Sequence, residues 1–120
     1  MFDDLCVTNN YTILEVMQSF EENIERVAIV RNDDKQVIGV ISQGDIIKSI
    51  VRGVDVHSQI RNILKPSFMY LKEKDIRRGF EIVKSKGVTL IPILDDGYQL
   101  IGVIKLSELL QMLEFKKECD

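Results

Sequence analysis

The sequence predicts an α/β protein made of two β-α-β-β-α repeats packed with pseudo-twofold symmetry. Three observations carry this reading. The tetrapeptide Ile38-Gly39-Val40-Ile41 returns as Ile101-Gly102-Val103-Ile104, 63 residues later. An apolar run stands before each copy, Val27-Ala28-Ile29-Val30 in one and Leu90-Ile91-Pro92-Ile93-Leu94 in the other. A polar turn separates run from copy each time, Asn32-Asp33-Asp34-Lys35 and Asp95-Asp96-Gly97.

The first repeat opens on a short extended piece at Cys6-Val7-Thr8, followed by a turn at Asn9-Asn10. Thr12 is placed to cap a helix, and Glu15 stands three residues on, at capping-box spacing. Ile13, Val16, Met17, Phe20 and Ile24 share one face at helical spacing. The apolar run and the copy of the tetrapeptide form a hairpin. A second helix is expected over Asp45 to Arg52, ending at Gly53. The second repeat follows the same order. Phe68-Met69-Tyr70-Leu71 is the short strand, Asp75 the helix cap, and Ile76, Phe80, Ile82 and Val83 the apolar face before Gly87. Ser107 is placed to cap the last helix, whose apolar residues are Leu109, Leu110, Met112, Leu113 and Phe115. The expected division is residues 1–56, a linker over 57–66 with one short helix (His57 to Leu64), and residues 67–120. One repeat of about 50 residues is marginal alone, so two are expected to complete a shared core. The cleft where they meet is then the natural place for a ligand.

The chain has 120 residues, 45% hydrophobic and 29% charged, without low-complexity tracts, as a globular protein requires. Its net charge of −3 argues against a nucleic-acid surface, which needs a basic excess. No run reaches the roughly 18 apolar residues of a membrane span, and the acidic start Met1-Phe2-Asp3-Asp4 is not a signal peptide. Cys6 and Cys119 lack C-x-x-C spacing and read as reduced thiols. A cytoplasmic location is expected. His57, the only histidine, has no nucleophile near it in sequence, and the paired carboxylates fall at a terminus or in turns. No P-loop or dinucleotide glycine fingerprint is present, and no metal site or catalytic set is expected.

The segment Ile38-Gly39-Val40-Ile41-Ser42-Gln43-Gly44-Asp45-Ile46-Ile47, the run Val27 to Val30, and their counterparts at Ile91 to Leu94 and Ile101 to Leu110 resemble a tandem pair of cystathionine β-synthase-type (CBS) domains, a Bateman module. The resemblance spans about residues 5 to 113, nearly the whole chain, and the same signature occurs in it twice. The pattern from Gly44 to Gly53 is further similar to CBS pairs fused to bacterial sugar-phosphate nucleotidyltransferases. The resemblance implies a regulatory module that binds AMP, ADP or ATP between its repeats and modulates an attached or partner enzyme. It requires no cofactor and is itself no enzyme. A homodimer through exposed helix faces bearing Ile46, Ile47 and Ile50, or Leu109, Leu110 and Leu113, is also implied, and a ligand-free dimerisation module is the alternative.

The family motif Ser/Thr-x-x-Asp stands here as Ser42-Gln43-Gly44-Asp45, implying a hydroxyl for phosphate and a carboxylate for ribose. The residues also speak for themselves. A strand end running into a helix start gathers N–H donors that favour an anion, and Gly44 allows close approach. Ser42 and Asp45 suit plain helix capping equally well. Arg26 stands where the family often places a phosphate contact, and an exposed charge following Glu25 is its other reading. Thr8, Val27 and Ala28 are the chosen adenine slot, with core packing as the other role for the apolar two. In the second repeat Lys105 replaces Ser42 and Glu108 replaces Asp45, which weakens any second site lined by Met69, Leu90, Ile91 and Pro92, apolar residues for which core packing is again the other role. Lys105 is either a reach toward a phosphate held by the first repeat or a solvated lysine.

Overall fold

The computed structural model describes the backbone of residues 2–119 and the side chains of residues 2–113. Phe115 and Cys119, both named above, have side chains outside the described residues. The fold is mixed α/β and divides into two compact units, Met1–Phe68 and Met69–Asp120.

Unit 1 contains β1 (Cys6–Thr8), α1 (Ile13–Ser19), β2 (Val27–Arg31), β3 (Val37–Ser42) and α2 (Gln43–Val51). The sheet order is β1-β2-β3, with β1 parallel and β3 antiparallel to β2. Central β2 is buried from Val27 to Val30, which explains its unbroken apolar run. β3 buries alternate residues, Val37, Gly39 and Ile41, as a strand with one covered face does. Ile13, Val16, Phe20, Ala28, Val30, Ile41, Ile46 and Ile60 form the core of the unit.

The start of α1 is closed. Glu15 N donates to Thr12 Oγ1 at 3.1 Å, and Thr12 N donates to Glu15 Oε1 at 3.0 Å. Ile13 N and Leu14 N donate to the carbonyls of Ser58 and Val56, each at 2.9 Å. Every first-turn donor thus has an acceptor, so this helix start offers no anion site. The segment that supplies those carbonyls, a linker by its sequence, folds onto unit 1 instead. Ile60 is fully buried, and its N–H donates to Tyr11 O at 2.8 Å. Leu64 lies against Gly39, where an added Cβ would stand 2.7 Å from Leu64 Cδ1. The helix expected over 57–64 shrinks to one 3-10 turn, Ile60–Asn62. Backbone groups engaged in holding α1 are not free for helix bonds.

Unit 2 contains α3 (Ile76–Lys86), β4 (Leu90–Leu94), β5 (Leu100–Lys105) and α4 (Leu106–Cys119). Asp75 caps α3 by accepting from Arg78 N at 3.0 Å. Ile82, Ile91, Ile93, Ile104 and Leu109 form its core, with Met69, Leu71, Ile76, Phe80 and Val83 packed against them. The strand expected at Phe68 to Leu71 is reduced to one parallel bridge, Leu71 to Ile93. Leu71 N donates to Pro92 O at 3.0 Å and Leu94 N to Leu71 O at 2.8 Å. Continuing that ladder toward residue 69 needs an N–H from residue 92, and proline has none. Ser107 does not cap α4. The helix begins at Leu106, whose N–H donates to Thr89 O at 2.8 Å, so Lys105 holds the boundary and Ser107 lies in the first turn. No turn intervenes between β5 and α4.

The two hairpins share one construction. Asn32 Oδ1 accepts from Asp34 N and Gln36 N, both at 3.0 Å, and Asp95 Oδ1 accepts from Gly97 N and Gln99 N, both at 2.9 Å. Lys35 and Tyr98 take left-handed φ values of 63° and 62°. The carboxylate of Asp95 therefore serves turn geometry, a role that the Asn32 amide oxygen plays in the first hairpin.

The units differ after their first helices. Gly87 ends α3 in the left-handed region at φ 67°, its N–H donating to Val83 O. Sixty-three residues earlier stands Ile24, a β-branched residue that avoids that region. Accordingly α1 stops at Ser19, and Ile24 falls outside the helix, 91% exposed rather than on the apolar face. The chain returns to β2 by reverse turns, Asn23 N to Phe20 O and Arg26 N to Asn23 O, with Arg26 at φ 54°.

Two substitutions test these assignments by urea unfolding. Ile60→Ala is expected to cost about 2–4 kcal/mol, as a core truncation does and a linker truncation does not. Gly87→Ala is expected to cost about 1 kcal/mol through its left-handed backbone.

Candidate functional site

The register of the β2–β3 hairpin assembles the site. Val27 stands opposite Ser42, and Gln43 N donates to Arg26 O at 3.0 Å. The start of β2 and the start of α2 are thereby locked together. Ser42 and Asp45 form a capping box. Asp45 N donates to Ser42 Oγ at 3.2 Å, and Ser42 N donates to Asp45 Oδ2 at 3.0 Å. Both residues thus do cap the helix. The other carboxylate oxygen, Asp45 Oδ1, lies 3.9 Å from Lys65 Nζ. The Asp45 side chain is 35% exposed, so one oxygen is spoken for by backbone and the other faces a lysine and solvent. Gly44 is exposed at the second helical position, where geometry leaves an N–H without an intrahelical acceptor.

Arg26, Val27, Ser42 and Asp45 are brought together. Arg26 is exposed, and its left-handed backbone directs the chain into β2. A non-glycine residue held there marks a constraint that the surroundings impose. Thr8 is not part of the group. It pairs with Arg31 at the far end of β2, four residues and roughly 13 Å of strand from Val27. Its hydroxyl donates to Asn10 Oδ1. Ala28 packs in the core, 1% exposed, and Val27 is 6% exposed. Neither presents an open face to a base in this structure.

In unit 2, Lys105 ends β5 opposite Leu90, and Glu108 sits in the first turn of α4. They hold the places of Ser42 and Asp45. Leu90, Ile91 and Pro92 are buried, and the Pro92 carbonyl is taken by Leu71 N. Met69 is half-buried against the unit 2 core.

Two residues at the unit 1 site escape sequence reasoning. Lys65 has no motif around it and arrives only because residues 57–66 fold back. Asn23 is buried and donates through Nδ2 to Val27 O at 2.7 Å. Its one visible signal is an amide between the apolar residues Phe20 and Val27.

Chemically, the site joins a half-exposed carboxylate to a nearby ammonium and a helix start. A carboxylate accepts from a vicinal diol, and the cations favour an anion beside it. Cys6 is held neutral. Burial pushes its thiol up, only partly opposed by Arg31, and Sγ donates to Phe2 O at 3.3 Å. Among the described residues, no group of three or more His, Cys, Asp or Glu is placed to hold a metal. No helix among them is long and apolar enough to cross a membrane.

The family model for the CBS domain matches residues 1–52. An uncharacterised protein of Helicobacter pylori (strain J99) is 25% identical over 118 residues, covering 91% of this chain and 36% of the relative. The chain therefore spans a little over a third of the length of that relative. A solved protein of Methanocaldococcus jannaschii superposes with a TM-score of 0.81 at 26% identity, covering 92% of this chain and 46% of the other. A CBS domain protein of Pyrobaculum aerophilum, complexed with AMP, superposes with a TM-score of 0.75 at 18% identity, covering 92% of this chain and 91% of that one. The chain thus has the fold of CBS-domain proteins, and its first 52 residues match that family's own model.

Proposed function

We propose that this chain is a regulatory module that binds an adenine nucleotide at the Ser42–Asp45 site of unit 1. The observation that carries the reading is the arrangement of Asp45, one oxygen held by the Ser42 backbone and the other beside Lys65. Capping pre-orients the carboxylate, and a carboxylate so fixed accepts from both hydroxyls of a ribose at little entropic cost. Arg26, Lys65 and the helix start at Gly44 supply the positive field for phosphate. The AMP carried by the Pyrobaculum aerophilum protein of the same fold supports adenine as the base.

Val27 contributes its strand position, and Thr8 has no part in the site of unit 1. Lys105 and Glu108 make a poorer grip in unit 2, where a longer carboxylate follows a lysine in place of serine. Met69, Leu90, Ile91 and Pro92 are the lining of any second site there. Regulation proceeds by population shift, and a nucleotide moves the equilibrium only by its differential affinity for the two states. The regulated activity belongs to an attached or partner catalytic domain in the cytoplasm. A sugar-phosphate nucleotidyltransferase is our reading, supported by the pattern from Gly44 to Gly53.

Association into a homodimer is the second reading. Ile47, Ile50 and Val51 on α2 are exposed, Val51 at 81%, and Leu110, Met112 and Leu113 are exposed on α4. Ile46 and Leu109, expected on those faces, are fully buried and belong to the cores. Exposed apolar helix faces favour self-association.

Titration of AMP, ADP and ATP into the chain, read by calorimetry and by melting, tests the first reading. At least one nucleotide is expected to bind and to raise the melting temperature, by about 2.7 kcal/mol of stability at about a hundred times its Kd. Asp45→Asn keeps an acceptor for the Ser42 N–H and removes the charge. It is expected to weaken binding about tenfold with little change in melting, the size of a charge-assisted hydrogen bond. No heat and no melting shift with any of the three at millimolar concentration sinks the proposal.

A further inference from the structure

Among the described residues, Asn23 is the buried polar side chain of the fold, and its Oδ1 is a buried atom without a hydrogen-bond partner. The amide orientation follows from its neighbour. Nδ2 lies 2.7 Å from Val27 O, an acceptor only, so the nitrogen must face that carbonyl and the oxygen is left over. The carbonyl itself needs this partner. Arg26 O points to the side of β3, where Gln43 N at the start of α2 donates to it, so the next carbonyl along the strand points the opposite way. On that side β1 begins only opposite Ile29 and does not reach Val27. Asn23 therefore takes up the last strand-edge acceptor of β2 and offers an acceptor of its own in its place. Buried acceptors without donors are rare and call for a reason.

The position is close to the proposed site. Val27, which Asn23 touches, is the register partner of Ser42. The loop that carries Asn23 is anchored at its ends, by Phe20 in the core and by Arg26 O, which accepts from Gln43 N, while the stretch between lies outside helix and strand, so a local opening there admits the edge of a base. The equivalent place in unit 2 is Lys86, an exposed cation at a helix end that brings no acceptor.

We infer that Asn23 Oδ1 accepts a hydrogen bond from the exocyclic amino group of a purine bound at the unit 1 site, and so selects aminopurine nucleotides. This rests on the adenine-nucleotide reading above. The two nucleotides that isolate the contact are AMP and purine riboside 5′-monophosphate, which differ by the amino group alone. Their dissociation constants are measured by calorimetry on the 120-residue chain and on Asn23→Leu, with folding followed by circular dichroism. The unsubstituted chain is expected to prefer AMP by about tenfold, and Asn23→Leu to bring the two within about twofold of each other, the effect of one hydrogen bond to a buried acceptor. Equal affinity of the unsubstituted chain for both nucleotides overturns the inference whether or not the variant folds. So does a folded Asn23→Leu or Asn23→Ala that keeps the preference, since Asn23 then serves only the loop. A chain that binds neither nucleotide overturns the adenine-nucleotide reading and this inference together.

Discussion

One backbone hydrogen bond organises each unit: the first N–H of the helix after the hairpin, donated to the carbonyl of the residue just before the hairpin's first strand. In unit 1 it is Gln43 N to Arg26 O at 3.0 Å, and in unit 2 Leu106 N to Thr89 O at 2.8 Å. Because the hairpin register is set by pairing along its length, this closure brings the entry of one strand and the start of one helix to the same place. Side chains at that corner meet whatever their identity. The shared geometry comes from the backbone, and the chemistry depends on which residues occupy it.

That division explains why two units of similar backbone differ in promise. Unit 1 puts serine and aspartate at the corner, and they brace each other while leaving one carboxylate oxygen outward. Unit 2 puts lysine and glutamate there, and its first strand shrinks to a single bridge because Pro92 cannot donate. A further difference begins with Ile24 in the place of Gly87. With no residue suited to a left-handed helix end, α1 stops early, and the slack is taken up in the loop that buries Asn23. Asn23 then covers the Val27 carbonyl. A single change of residue type at a helix end thus reaches the edge of the candidate site.

Residues 57–66 show how a segment without a sequence signal becomes structural. With Val56 just before them, their carbonyls satisfy the first donors of α1, Ile60 fills the core, and Leu64 occupies the space that Gly39 leaves without a Cβ. They also carry Lys65 to Asp45. Polarity and length mark such a stretch as a connection, because nothing in its pattern repeats. Its role arises from partners far away in the chain.

Much was legible in the sequence alone. The doubled Ile-Gly-Val-Ile with its apolar runs and polar turns determined the hairpins, and Thr12, Glu15 and Asp75 marked helix starts, because strand alternation, turns and caps are local chemistry. The Ser42-x-x-Asp45 spacing was legible for the same reason: three residues on a helix start is a local distance. Tertiary structure decided the rest. Thr8 lies at the wrong end of β2 because the offset between parallel strands is not written in either strand. Ser107 yields its place to Lys105 because β5 runs straight into α4. Lys65 reaches Asp45, and Asn23 the Val27 carbonyl, through chain closure and burial, which sequence pattern does not record.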